Sequence, residues 1–284
     1  MGKTDLSIEI AEKFNGEIIS ADSRQFYKEL NIGTAKPTEE ELSRVPHYFV
    51  NSHSIDDNYT AGKFEKDGLP VIYDIIKRGR LPIVVGGSGL YIQALIHGID
   101  QPPADEKIRA ALNSKLREEG LEKLQELLKE RDPDKYRSID LNNPRRVIRA
   151  LEIAELKKRG VSSKPKRIPR DFDPIVIVLY RERQELYERI NSRADKMIQD
   201  GLLNEVETLK ASRENQAMQT VGYKELLSYL DAEISLEDAV DLIKQNTRRY
   251  AKRQITWFKR MESAKWIPAD DKNGLLRYVS EKLS

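Results

Sequence analysis

Apolar positions along the chain recur at two periods, and the switches between them mark out the elements. In MGKTDLSIEIAEKF, Leu6, Ile8, Ile10, Ala11 and Phe14 fall mostly at helical spacing, which predicts a helix from the first residues onward. Gly16 is expected to end it. EIISAD then reads as a short buried strand that delivers Asp22 at its carboxyl end. A second strand, Ile83 to Val85 within RLPIVVGGSGLYIQALIHG, runs into a glycine turn and another helix. DPIVIVLY, continuous in β-branched residues, predicts a strand covered on both faces, and SAKWIPAD is a candidate fourth. Helical segments separate these strands, so the expected fold is α/β, three layers around a mostly parallel sheet. Two stretches, about 105–158 and about 184–259, are helical without strands, and VSSKPKRIPRDFDP reads as a loop. The domain organisation that follows is a core begun by 1–104, a largely helical segment over 105–170, and the rest of the core over 171–284, with a lid-like helical insert near 195–245.

Composition narrows the function classes. The chain has 284 residues, 34% charged and 39% hydrophobic, a globular and soluble balance. No apolar run approaches the roughly 18 residues that cross a bilayer. Lys3, Asp5 and Glu9 break up the beginning, which therefore does not read as a secretory signal. Cysteine is absent, which rules out disulfides and thiolate metal sites and fits a reducing cytoplasm. His47, His53 and His97 stand at spacings that suggest no zinc site.

Net charge is only +2, but its distribution is uneven. Leu141 to Arg170 holds ten Lys/Arg against Glu152 and Glu155, and Asn246 to Lys265 holds seven against Glu262. Such segregation is the footprint of a polyanion partner, or else of helix faces that are basic and solvated.

GKT at Gly2, Lys3 and Thr4, opening a helix, is the last third of a P-loop, although such a tripeptide also arises by chance. In a P-loop, amides at the helix N-terminus cradle phosphate, the lysine adds a point charge and the hydroxyl reaches Mg²⁺. The helix, strand and acid that follow strengthen this reading, because α/β sheets place their sites at the carboxyl ends of strands. The full motif needs a glycine five residues before Gly2 and a strand before that. The chain is therefore expected to be truncated or to begin at a mis-assigned start. GGSGLY, Gly86 to Tyr91, permits close backbone approach to a ligand, or is simply a tight strand-to-helix turn. No acid ends the LPIVV strand, which argues against a hydrolytic ATPase.

Taken in order, GKT, ADSRQFY, IGTAKP, TAGKF, VVGGSGLYIQAL, NNPRRVIRALE, RADKMIQDGLLNEV, VGYKE and NTRRYAKRQITWF resemble the tRNA dimethylallyltransferase (isopentenyltransferase) family over nearly the whole chain. The resemblance implies a P-loop-kinase-like fold whose loop and Mg²⁺ bind the diphosphate of dimethylallyl diphosphate rather than ATP. It implies transfer of the prenyl group to N6 of the adenosine 3′-adjacent to the anticodon, with release of diphosphate. It assigns Asp22 as general base and Arg193 as the residue that steadies the leaving diphosphate. Gly2, Lys3 and Thr4 would bind diphosphate, Thr4 also holding Mg²⁺. Asp22, Ser23, Arg24, Gln25 and Ser88 would touch the target nucleotide, and the helix Arg145, Arg146, Val147, Ile148 and Arg149 would contact tRNA. Partners are then tRNA, through its anticodon loop, and the prenyl donor, with no membrane and a monomeric chain.

The chemistry of the residues agrees. An adenine amine is a poor nucleophile, so its proton must leave as it attacks, and a positioned carboxylate contributes about 10²–10⁴-fold to such a step. Cations and oriented amides help diphosphate leave. The target base must be flipped from its stack, at a cost of a few kcal/mol. In TRRYAKRQITWFKR, Arg248, Lys252 and Lys259 share a helix face, while Tyr250, Ile255 and Phe258 mark another that is expected to be core. Arg145 and Arg149 should share a face opposite Val147, Leu151 and Ala154. The rival readings are a nucleotide or nucleoside kinase, an isopentenyltransferase acting on free AMP or ADP, and an RNA-binding protein with a vestigial P-loop.

Overall fold

A computed structural model describes residues 2–99, 104–161 and 169–284. In chain order the elements are α1 (Lys3–Lys13), β1 (Gly16–Ser20), α2 (Glu39–Arg44), β2 (His47–Tyr48), α3 (Ala61–Lys77), β3 (Leu81–Val85), α4 (Gly89–His97), α5 (Glu106–Arg131), α6 (Pro133–Ser138), α7 (Pro144–Lys158), β4 (Ile177–Tyr180), α8 (Arg183–Gln199), α9 (Leu202–Thr208), α10 (Tyr223–Leu230), α11 (Leu236–Phe258), β5 (Lys265–Pro268) and α12 (Lys272–Leu283). The chain divides into two compact units, one of residues 1–97 and 170–284, the other of residues 98–169. Half of the proline-bearing segment expected as a loop lies outside the described residues, Lys164, Lys166 and Arg167 of its basic zone included.

The larger unit is an α/β structure with parallel strand pairing throughout the described residues. β1 is central in a three-stranded sheet ordered β2-β1-β3, and β4 pairs with β5. β1 is buried along its whole length, as a strand between two parallel neighbours should be. β3 and β4 are equally apolar in sequence yet only half-buried, and Tyr180 is exposed. Full coverage was the expectation for the β4 strand. It fails because both strands border a cavity that Leu81–Val85 and Ile177–Tyr180 help to line.

Gly16 also differs from its expected role. α1 ends at Lys13, Asn15 turns the chain with φ 51°, and Gly16 is the first residue of β1. A Cβ on Gly16 would stand 2.9 Å from the Leu81 carbonyl oxygen and 3.2 Å from Ala11 Cα, so glycine lets β1 lie against β3 and α1. At the foot of this sheet, buried Glu17 accepts from Arg78, Arg80 (2.6 Å) and the Tyr48 hydroxyl (2.8 Å). The Arg78 guanidinium above all holds the Glu17 carboxyl well below the usual range, at about 2.

A second core lies among α8 to α11, where Leu202, Val206, Met218, Tyr223, Leu226 and Ile243 are buried together. The smaller unit is helical, with α5 packed on α7 around Leu112, Leu124, Leu128, Val147 and Leu151. Gly120, at φ 81°, breaks α5 into two runs. No helix among the described residues is long and apolar enough to cross a membrane.

Candidate active site

The carboxyl ends of β1 and β3 carry most of the residues singled out by sequence. Asp22 follows β1, half-buried, and one of its carboxylate oxygens accepts from the Arg24 amide at 3.0 Å. This local turn fixes the start of the DSRQ loop. The Ser23 amide donates to the Ser88 hydroxyl at 3.0 Å, tying DSRQ to the glycine loop after β3. Arg24 Nε donates to the Thr220 hydroxyl at 3.0 Å. The Gln25 amide donates to the carbonyls of Thr34 (3.3 Å) and Ala35 (3.1 Å) while its oxygen accepts from the Ser20 hydroxyl (3.1 Å). Gln25 thus links the strand end to IGTAKP.

Two other motifs serve this loop. The Glu205 carboxylate accepts from the amides of Asn31 (3.2 Å), Ile32 (2.8 Å) and Gly33 (3.4 Å) and from the Tyr223 hydroxyl (2.5 Å). Lys36 Nζ donates to the Tyr27 carbonyl (2.6 Å) and to Asn31 Oδ1 (2.9 Å), and burial pushes its ammonium down to about 8. IGTAKP and VGYKE are therefore one clamp on the segment that carries Asp22.

Glycines in GGSGLY permit contacts that a side chain would block. A Cβ on Gly86 would stand 2.3 Å from the Ala21 carbonyl oxygen, and one on Gly87 would stand 2.1 Å from Gln254 Nε2 and 3.4 Å from Lys3 Nζ. Gln254 instead donates to the Gly87 carbonyl at 2.8 Å. The turn is a meeting point of β1, α1 and the basic helix α11.

Gly2, at φ 83° and ψ 2°, precedes α1, which Lys3 and Thr4 open. Burial is the main influence lowering the Lys3 ammonium, Asp22 opposes it, and Arg193 on α8 adds to it. The charges of Asp22 and Arg193 thus both reach Lys3. Burial and then neighbouring Arg189 lower the Arg193 guanidinium in turn.

The basic helix holds residues that the periodic reading misplaced. Tyr250, expected in the core, is 40% exposed. Its hydroxyl lies within reach of Ser88 and Gln254, and burial of that end, then the charge of Asp22, raises the phenol. Trp257 packs where a Cβ of Gly89 would be. Tyr250, Gln254 and Trp257 stand at i, i+4 and i+7, so their common face was visible in the sequence. Ile255 and Phe258 are half-buried.

The remaining predicted positions belong to the smaller unit. α7 opens with Asn143 as cap, its side chain accepting from the Arg146 amide, and Pro144 in its first turn. Arg145 and Arg146 are exposed, whereas Val147 and Ile148 are buried in the helical core, which withdraws their side chains as contacts for tRNA. Arg149 donates to fully buried Glu152 at 2.7 Å, and Arg109 pairs with the same carboxylate at 3.0 Å. Arg109 of α5 thus holds α7 through Glu152, and Arg149 is committed in part to the same carboxylate.

Among the described residues no three His, Cys, Asp or Glu cluster as a metal-ligand group. Mg²⁺ held by a hydroxyl, phosphate oxygens and water needs no such cluster, and the hydroxyl of Thr4, next to Lys3 in the first turn of α1, is of the type that donor set uses.

Comparison with known proteins decides the family: residues 25–261 match the family model described as IPP transferase. The chain belongs to the IPP transferase family. Relatives of this IPP transferase include a tRNA dimethylallyltransferase of Flavobacterium johnsoniae, 44% identical over 293 residues and covering 100% of this chain and 95% of the relative. Another, from Thermotoga neapolitana, is 46% identical over 271 residues, covering 94% and 88%. The crystal structure of a Bacillus halodurans tRNA isopentenylpyrophosphate transferase matches at TM-score 0.74 and 38% identity, over 99% of this chain and 93% of that one. A eukaryotic dimethylallyltransferase described as acting on tRNA matches at TM-score 0.75 and 30% identity, over 99% and 74%.

Proposed function

We propose that this IPP transferase moves a dimethylallyl group from dimethylallyl diphosphate to N6 of the adenosine 3′-adjacent to the anticodon of tRNA. The observation that carries the reading is Asp22 at a strand end, braced by the Arg24 amide and sharing its site with Lys3 and Arg193. A base and two cations in one place match a reaction that removes a proton from one partner and an anion from the other.

In the reaction the N6–carbon bond forms, the carbon–oxygen bond of the prenyl diphosphate breaks, Asp22 takes the N6 proton, and diphosphate departs. Lys3 and the amides that open α1 bind the diphosphate, and Arg193 steadies it as its charge grows. Mg²⁺ held by Thr4 would supply neutralisation of that charge. Tyr250 offers an exposed ring beside Asp22 and Ser88, suited to stacking a flipped base. Arg145 and Arg146 on α7, and Arg249, Lys252 and Arg253 on α11, are exposed cations suited to RNA phosphates.

The test is Asp22→Asn. It keeps an oxygen for the Arg24 amide but loses the base. Transfer is expected to fall at least about 10²-fold with tRNA affinity retained. Near-normal turnover by Asp22→Asn would remove Asp22 from the role of base.

A further inference from the structure

α9 carries two carboxylates that meet different surroundings. Glu207 is exposed, whereas Glu205 shares a face with Leu202 and Val206, which are buried beside Tyr223. A carboxylate on the inner face of a helix must find donors there. Glu205 finds four, all from segments outside α9. One oxygen accepts from the amides of Asn31 and Ile32, the other from the Gly33 amide and the Tyr223 hydroxyl. Successive amides aimed at one carboxylate form a nest, a backbone shape that an anion holds together. Gly33 has no side chain to spare, because a Cβ there would stand 2.5 Å from Tyr223 Cε2.

The nest begins a turn that ends at Ala35, whose φ of 47° and ψ of 53° put a residue with a Cβ in the left-handed region. Such a conformation persists only when its surroundings impose it. The turn aims the carbonyls of Thr34 and Ala35 at the Gln25 amide group. Gln25 is held at its other side by the Ser20 hydroxyl at the end of β1. Between Ser20 and Gln25 lies Asp22, whose carboxylate accepts from the Arg24 amide. A continuous path of hydrogen bonds and a short piece of backbone therefore joins Glu205 to Asp22.

We propose that Glu205 is a positioning residue for prenyl transfer. Its carboxylate fixes the Asn31–Gly33 turn, the turn fixes Gln25, and Gln25 fixes the loop that presents Asp22. The inference rests on Asp22 as the base of the proposed reaction, and Glu205 acts through the protein rather than on a substrate. A neutral acceptor does not replace it, because donors meet both oxygens and a glutamine would turn an N–H₂ group toward one pair of them.

The test compares Glu205→Gln and Glu205→Ala with the parent, and with Glu17→Gln at the opposite end of β1 as the control for lost stability alone. Hydrogen exchange at the Arg24 amide, read by NMR without substrate, reports the contact with the Asp22 carboxylate. Single-turnover transfer, with tRNA and dimethylallyl diphosphate both saturating, reports the chemical step. Both Glu205 variants are expected to quicken Arg24 exchange at least about tenfold, the scale of one lost hydrogen bond to a charged group, and to slow transfer by a similar factor. Donor affinity should hold, and Glu17→Gln should change neither reading. Glu205→Gln keeps the volume of the side chain, so the comparison stands even if Glu205→Ala does not fold. Arg24 exchange or transfer at the parent rate, or equal changes in Glu17→Gln, would overturn the proposal. A parent chain without transfer would instead count against the reaction proposed above, and the exchange would still decide whether Glu205 places Asp22.

Discussion

Gly86→Ala tests how the Asp22 carboxylate, the proposed base, is placed. The added Cβ would meet the Ala21 carbonyl oxygen at 2.3 Å, its carbon at 2.5 Å and Ala21 Cα at 3.0 Å. These are backbone atoms at the end of β1, so no rotamer change relieves the clash. The β1 end and the β3 turn must part by about 1 Å to restore ordinary contact. Overpacking of this kind costs about 1–3 kcal/mol. For a chain of this size that is a fall in thermal midpoint of roughly 2–12 °C. Asp22 is the next residue, so the same displacement moves the base, and a misplacement of 1 Å can cost about 10²-fold in rate. Gly87→Ala is the comparison. There the new Cβ meets Nε2 of Gln254, a side chain that can swing away. The loss should approach that of one hydrogen bond, about 1 kcal/mol. Calorimetry on both variants and single-turnover transfer on both give the answer. Equal midpoints and rates for Gly86→Ala and the parent would refute the argument.

Three further outcomes follow from the geometry. Arg145→Glu with Arg146→Glu should weaken tRNA binding and flatten its salt dependence by about 0.7–0.9 for each phosphate no longer neutralised, without changing prenyl-donor affinity, as titrations at several salt concentrations would show. Tyr250→Ala should raise KM for tRNA with little change in donor affinity, and Tyr250→Phe should restore it; steady-state kinetics in which Phe is as poor as Ala would point to the hydroxyl instead. Glu17 is held at about 2, below an ordinary carboxyl, so its contribution is full above pH about 4.5 and lost as pH falls toward 2. Half-exposed Arg78 and Arg80 temper the amount to about 1–2 kcal/mol, and acid unfolding of Glu17→Gln should show a flatter slope over that window.

Much of this site could be read along the chain, because motifs such as DSRQ and GGSGLY are local strings that keep their order at strand ends. β1, β3 and β4 were visible through their β-branched runs. β2 was not, since His47–Tyr48 is too short to show a period. A glycine after a helical run reads as a stop, whereas the need for Gly16 comes from β3, more than sixty residues on in sequence. Tyr250 reads as core in the sequence because periodicity says which residues share a face but not what that face meets. Nor does a run of arginines show which one turns inward. Arg149 does, because Glu152 lies one turn along and buried.

Transfer itself tests the central claim most directly. Unmodified tRNA, labelled dimethylallyl diphosphate and Mg²⁺ would be incubated with this chain. The tRNA would then be digested to nucleosides and analysed by mass spectrometry. The account predicts label on N6 of the adenosine 3′-adjacent to the anticodon, with release of diphosphate. Absence of label, together with phosphorylation of a nucleotide when ATP is supplied, would contradict it.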